Sequence, residues 1–336
     1  MINKKTKFCK AAALLGAAVM MISALAGCGK NTKVVLTAGL KKNEVFRISS
    51  ASCVLPEVMV YLTNMQNQYE SVYGSQIWNA SDGQLSLEQE EREQVLTQLA
   101  RIKVMNLLAQ KKEVTLDDKE KERAAAAGRE YFTSLNSAEV TALNVTQDLI
   151  TKMYEEYALA EKVYQTIVEN VNPEVSDDEA RTITVDRIRV SDSAKASQVL
   201  GKAKEEGVDF ETLAQAESED QTVTQSFGKG EVSEALEKAA FNLGKDEISD
   251  VVESDGSYYI LKCISTFDEA QTKANKEKIV KQRQSEAFDT EYTAFEQTLV
   301  RQLNEELWDS VTMIHQDDVK TSSFFEVYQI YFQHQE

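Results

Sequence analysis

Two short stretches of period-two texture sit inside a chain that otherwise reads as helix. ITVDRIRV (183–190) alternates as a strand does, and SYYILKCI (257–264) is rich in aromatic and β-branched residues. Between them, Ala194 to Glu206 reads as a helix ended by Gly207, Phe210 to Ala216 as a second, and Glu237 to Phe241 as a third short patch. A strand, several helices and a closing strand at this spacing predict one compact α+β domain, beginning near Pro173. The order of elements is legible; the pairing of strands is not.

The flanks carry the 3.6-residue period instead. Pro56 suits a first helical position and leads into EVMVYLTNMQNQYESVYG. Ser86-Leu-Glu-Gln89 fits a capping box, after which Val95, Leu99, Ile102, Met105 and Leu108 return every three or four residues. Thr115-Leu-Asp-Asp118 has a similar start, before KEKERAAAAGREYF. Leu149, Met153, Tyr157, Ala160, Tyr164 and Ile167 form another stripe, whose aromatics either line a groove or fill a core. From Asp268 the chain turns helical again, with Phe288, Tyr292, Phe295, Leu299, Leu303 and Leu307 on one face. Such a face must be buried. Packing back on the first helical region is the simplest solution, and it makes the compact domain an insertion. The aromatic stretch TSSFFEVYQIYFQHQE is expected to dock as well, as strand or short helix.

The N-terminus has a separate logic. Lys4, Lys5, Lys7 and Lys10 precede AAALLGAAVMMISALAG, which stops at Gly27, short of the ~20 apolar residues of a stable span. This is the pattern of an export signal over residues 1–27. Leu25-Ala26-Gly27-Cys28 resembles the lipobox of bacterial lipoproteins, in which the cysteine is lipidated and becomes the first mature residue. Two or more acyl chains anchor stably where one is marginal. Residues 28–45 then read as a lipidated, polar tether. Removing residues 1–27 takes four lysines and no acid, moving the net charge from -18 to -22. That balance opposes nucleic-acid binding and holds a tethered domain off an anionic membrane surface.

Cys53 and Cys263 remain after Cys9 and Cys28; an exported location permits their pairing, and two buried thiols are the alternative. His315 and His334 are the only histidines, and neither a CxxC nor an HExxH pattern occurs. The sequence therefore supports no metal site and implies no cofactor.

Asp209-Phe210-Glu-Thr-Leu213-Ala214, then Ser218, and Ala239-Ala240-Phe241-Asn-Leu243-Gly244 resemble the parvulin-type peptidyl-prolyl isomerase domain. So do Glu247-Ile248-Ser249-Asp-Val251-Val252 and Gly256-Ser-Tyr258-Tyr259-Ile260-Leu261-Lys262. With its lipobox and helical arms, the chain is similar to the exported foldase lipoproteins of Gram-positive bacteria, the PrsA/SurA-like group. The resemblance implies an α+β fold class: a mainly helical chaperone domain from segments 46–172 and 268–336, with the parvulin-like domain inserted at 173–267. It also implies a location on the outer face of a Gram-positive-type cell membrane, and unfolded or partly folded exported proteins as partners.

Such domains hold proline in an apolar pocket beside a polar cluster. Here the polar cluster departs from the family. Arg187-Ile188-Arg189-Val190 stands where His-Ile-Leu-Val is usual, and Ser257-Tyr258-Tyr259-Ile260 where Gly-Tyr-His-Ile is common. Both family histidines are thus replaced, by Arg187 and Tyr259, while counting from Phe210 puts Asp220 on the Cys/Asp position. The GGDLG segment is also missing. The resemblance assigns Asp220, Tyr259 and Arg187 to the catalytic cluster, and Phe227, Val232, Leu236 and Phe241 to the substrate pocket. Three functions stay open: a foldase with isomerase activity, a non-catalytic holdase for secreted clients, and a dedicated assembly factor for one exported partner.

Overall fold

Helices begin where a side chain can satisfy the orphan amides of the first turn. The computed structural model describes residues 39–80 and 86–332; the export signal, Cys28 and the tether as far as residue 38 lie outside the described residues. Pro56 sits in the first turn of α1 (Leu55–Tyr73), which ends at Gly74 with φ 80°. Helix α2 (Leu87–Lys111) starts on a reciprocal box: Gln89 N donates to Ser86 Oγ (3.2 Å) and Ser86 N to Gln89 Oε1 (2.9 Å). The cap of α3 (Asp118–Ser134) is Asp117 rather than Thr115. Asp117 closes the reciprocal pair with Glu120 (2.8 and 2.7 Å), and its carboxylate favours the positive end of the helix. Asn136 caps α4 (Ser137–Leu143) and Thr146 caps α5 (Gln147–Val168).

The chain divides into two compact units, the described residues up to Asn170 with those from Ala287, and Val171–Glu286. In the first, Val95, Leu99, Ile102, Met105 and Leu108 all face a single apolar core, together with Met153, Ile167, Phe288, Tyr292 and Phe295. Beneath it lies a buried ion cluster. Lys103 Nζ on α2 bonds Glu57 on α1 (2.7 Å) and Glu156 on α5 (2.6 Å), which ties three helices together. Burial alone would lower the Lys103 pKa; the two carboxylates outweigh it and raise it.

A small antiparallel sheet of order β2-β1-β7 completes this unit. Strands β1 (Glu44–Ile48) and β2 (Ala51–Val54) form a hairpin, and β7 (Arg301–Leu303) pairs with β1. Glu44 and Val45 therefore belong to a buried strand, so the polar lead-in ends before residue 44: Glu44 is held by Arg47 and Val45 is fully buried. The stripe after Asp268 also breaks earlier than its spacing suggests. Helix α10 (Glu269–Glu296) stops, the chain turns through Thr298 and Leu299, and Leu303 on β7 pairs across from Phe46 on β1. Leu307 falls on a separate short helix, α11 (Glu305–Asp309), because β1 recruits residues 301–303 as a strand.

The aromatic stretch forms α12 (Phe324–Phe332) and docks on α1, α3 and α5. Phe324 stacks on Tyr154 with centroids 4.5 Å apart and meets Tyr61 and Tyr131 at 5.3 Å. Its backbone is satisfied too: Phe324 N donates to Asn64 Oδ1 (3.0 Å), and Tyr154 Oη donates to Phe324 O (2.8 Å).

The second unit holds an antiparallel sheet of order β4-β3-β6-β5, from β3 (Thr182–Val190), β4 (Thr224–Gly228), β5 (Val252–Ser254) and β6 (Ser257–Ser265). A short α6 (Asp177–Ala180) precedes β3; α7 (Ser193–Ala203), α8 (Phe210–Glu217) and α9 (Glu234–Phe241) follow it. Asp255 and Gly256, both at positive φ (50° and 71°), make the two-residue turn between β5 and β6. Alternation sorts β3 onto two faces. Ile188 and Val190 pack with α7 and α8, while Ile183 and Val185 pack with Phe227, Leu261 and α9. Cys53 and Cys263 are both buried free thiols.

Candidate functional site

The face that carries Ile183 and Val185 also carries Arg187 and Arg189, by the same period of two. Across the ladder Arg187 pairs with Leu261 and Arg189 with Tyr259. The two guanidinium groups share one carboxylate. Arg187 Nη2 donates to Asp220 Oδ2 and Arg189 Nε to Asp220 Oδ1, each at 2.5 Å. The side chains of Arg187 and Asp220 are only 18% and 19% exposed. The Asp220 carboxylate raises the Arg189 pKa through its hydrogen bond and its charge, so the group stays a cation.

Asp220 is held in place by its own segment. Arg189 N and Asp220 N both donate to Ser218 Oγ (3.1 and 3.2 Å), Glu219 N donates to Arg189 O (2.8 Å), and Arg187 N to Val223 O (3.0 Å). Residues 218–223 thus run along β3 and continue into β4. Tyr259 lies under Arg187, with the guanidinium carbon 5.6 Å from the ring centroid, a cation–π contact. Arg187, Asp220 and Tyr259 are therefore brought together.

The apolar four are brought together as well, in the cluster beside this polar group, and Tyr259 packs against the same cluster. Phe227 and Leu236 are its buried members, 6% and 7% exposed; Val232 and Phe241 are half-buried. Phe227 and Phe241 stand 6.3 Å apart by ring centroid. Arg181 covers Phe241 at 4.8 Å and donates to its carbonyl (3.3 Å).

The chemistry available here is limited and definite. Each oxygen of Asp220 accepts one hydrogen bond from a guanidinium group. The groups left to address a ligand are N–H and O–H donors next to an apolar wall. Arg189, Ser218 and Glu219 are members of this cluster to which the resemblance gave no site role. The i, i+2 spacing of Arg187 and Arg189 was the signal for the first of these. Among the described residues, no group of three His, Cys, Asp or Glu is placed to hold a metal ion.

Residues 145–277 match the family model of the PPIC-type PPIase domain. Over those residues the chain is similar to the PPIC-type, parvulin domains. It is 31% identical over 165 residues to the foldase protein PrsA of Streptococcus pneumoniae, across 44% of this chain and 53% of the relative. The chain spans about half the length of the curated relatives it matches. Among solved structures it is similar to a PrsA foldase of Streptococcus pneumoniae (23% identity, 72% of this chain and 92% of that one, TM-score 0.28). A PrsA peptidyl-prolyl isomerase of Bacillus cereus gives 18% identity, 72% and 91% coverage, and TM-score 0.38. The sheet face with Arg187, Asp220, Tyr259 and the Phe227 cluster belongs to the parvulin domain.

Proposed function

We propose that this chain is an extracytoplasmic foldase, anchored by lipid on Cys28, that binds unfolded or partly folded exported proteins and turns their prolyl bonds on the β3–β6 face. The observation that carries the reading is the junction on one sheet face of an apolar cluster with a donor-rich polar group, inside a domain similar to parvulins. Its organisation is a signal over 1–27, a tether from Cys28 to the start of β1, and a helical body interrupted by the parvulin domain. Likeness to PrsA foldases supports the clients and the location.

The physical task is to lower the ~18–20 kcal/mol barrier to rotation about a peptide bond. In this reading Phe227, Leu236, Val232 and Phe241 hold the prolyl ring, and Arg187 with Tyr259 donates to the neighbouring peptide group. Asp220 positions both arginines rather than exchanging a proton. Acceleration requires that these donors favour the twisted state over either planar isomer.

A second reading is favoured by the ion cluster itself. Asp220 clamped by two guanidinium groups makes a rigid structural pair of bridges, and the face then binds prolyl segments without turning them. Exchange spectroscopy on X-Pro peptides separates the two. Cis/trans exchange above the uncatalysed rate, lost in Arg187→Gln, supports the foldase; bound peptide with unchanged exchange supports the binding module. Lipid attachment is tested by the mass of the exported chain, which loses its acyl increment in Cys28→Ser.

A further inference from the structure

We propose that residues 314–332 are a displaceable strap, the internal occupant of a groove on α1 that holds unstructured polypeptide by its backbone. This rests on the reading that the chain binds unfolded clients, and it names where their backbone is held; the β3–β6 face plays no part in it.

Helix α1 carries a run of amide side chains, Asn64, Gln66, Asn67 and Gln68, the first three of them buried. Their partners are main-chain atoms of the irregular segment before α12. Gln66 Nε2 donates to Ile314 O (3.0 Å), and its Oε1 accepts from Ile314 N (3.1 Å). Asn67 Nδ2 donates to Val319 O (3.2 Å) and Thr321 O (2.8 Å), and Gln68 Nε2 to Ser322 O (2.9 Å). Asn64 Oδ1 accepts from Phe324 N (3.0 Å). The start of α4 continues the row: Asn136 Nδ2 donates to Asp318 O (2.8 Å), and Glu139 Oε1 accepts from Lys320 N (2.9 Å).

These bonds read a backbone and leave most of its side chains alone. Residues 315–318 and Lys320 are exposed, although the main chain at Asp318 and Lys320 is held. Among the described residues the segment joins no sheet, and its main-chain to main-chain bonds stay within it, as from Val319 N to Gln316 O (3.1 Å) and Val327 N to Ser323 O (2.9 Å). The preceding β7 differs, being paired to β1 strand to strand. Every residue but proline offers the same N–H and C=O, so a row of amide side chains can hold chains of many sequences. Apolar anchoring completes the seat: Phe324 enters the nest of Tyr61, Tyr131 and Tyr154, and Val327 and Tyr328 are buried beside it. A groove left empty would strand buried amides without partners, which is costly. A second backbone laid in as the strap leaves restores those bonds, so replacement is cheaper than release. Affinity for the incoming chain is then scaled by the fraction of time that the strap is away.

The test uses the full chain and a fluorescein-labelled peptide of sequence 314–332, followed by anisotropy. Phe324→Ala removes the strap's anchor and leaves the groove's amides, so it should bind this peptide at least about tenfold tighter than the unmodified chain. A peptide with alanine at positions 315–318 and 320 should bind within about threefold of the original, since those side chains face solvent. Reduced and alkylated lysozyme, an unfolded polypeptide, should displace the labelled peptide. Equal binding by the Phe324→Ala and unmodified chains overturns the proposal. So does unfolded lysozyme that binds without displacing the peptide, a result that leaves client binding standing. Hydrogen exchange on the unmodified chain decides the matter if the variant fails to fold. The amides of Lys320 and Phe324 should exchange through a local opening, ahead of those in α2, and faster with unfolded lysozyme present. Exchange of the strap only together with α2 overturns the proposal. Prolyl exchange on X-Pro peptides reads the other unit, so its failure is told apart from the strap's.

Discussion

Glu91 on α2 is 1% exposed, and its Oε1 is buried without a hydrogen-bond partner. Burial pushes its carboxyl up from the ordinary 4.5 to about 7. The folded chain therefore keeps this proton up to near neutrality, while the unfolded chain releases it near pH 4.5. A carboxyl with a raised folded pKa contributes fully at acid pH, loses that contribution as pH rises from about 4.5 to 7, and stays lower above it. The gap corresponds to about 3 kcal/mol at 1.36 kcal/mol per unit, an upper figure because local relaxation lessens it. Glu91→Gln keeps the shape and stays neutral. At pH 5 it should already be more stable than the native chain by about 1 kcal/mol, because the unfolded carboxyl is mostly ionised there, and at pH 8 by about 3 kcal/mol, near 5–10 °C in melting temperature for a unit of this size. Trp78 and Trp308, the only tryptophans, both lie buried in the same core as α2. Their fluorescence during denaturant unfolding therefore reads this unit and not the parvulin domain. A stability difference that does not change between pH 5 and pH 8 would show that Glu91 is ionised and compensated in the fold, and the reasoning would fail.

Other substitutions probe the packing of the same unit. Lys103→Ala leaves Glu57 and Glu156 facing each other without their cation and should cost about 3–5 kcal/mol by denaturant titration, whereas Lys103→Ala with Glu57→Gln should recover part of it. A Cβ on Gly128 of α3 would come within 2.8 Å of the Thr151 Cα on α5. Gly128→Ala should therefore lower the melting temperature, although in a free helix the change would add about 1 kcal/mol. Phe324→Ala removes the ring stacked on Tyr154 and should cost about 3–5 kcal/mol, with α12 the first segment to lose amide protection.

What could be read in advance follows from how local each signal is. The α2 stripe and the Ser86 box are settled within a few residues, and both stand where their spacing puts them. β3 and β6 announce themselves by alternation and β-branched content. β4 and β5 do not: Thr224, Gln225 and Ser226 carry no strand pattern, and their pairing is imposed by β3. The β1–β7 pair is still less local, since Phe46 and Leu303 meet across most of the chain. Helix α10 ends earlier than the sequence spacing predicts for that reason: the helical period at Leu299, Leu303 and Leu307 loses to a strand partner that no local window contains. In the site, a family count located Asp220, but its service to two arginines depends on the loop bonded through Ser218. The burial of Phe227 and Leu236 is likewise a tertiary matter, set by α9 packing over the sheet.

The closing of the β1 sheet by residues 301–303 sets an order of events in time. A chain made from its N-terminus presents Val171–Glu286 as one continuous piece, able to fold while later residues are still being added. The helical body has to wait. Asn304 N must reach Val45 O, and Phe324 must reach Tyr61, before its sheet and core are whole. Until then α1, α2 and α5 expose the apolar surfaces that those late residues cover, and contacts of such sequence separation form slowly. The first-made half of the molecule is thus the last to mature, and for that interval the chain is itself in the condition of the clients it is proposed to serve.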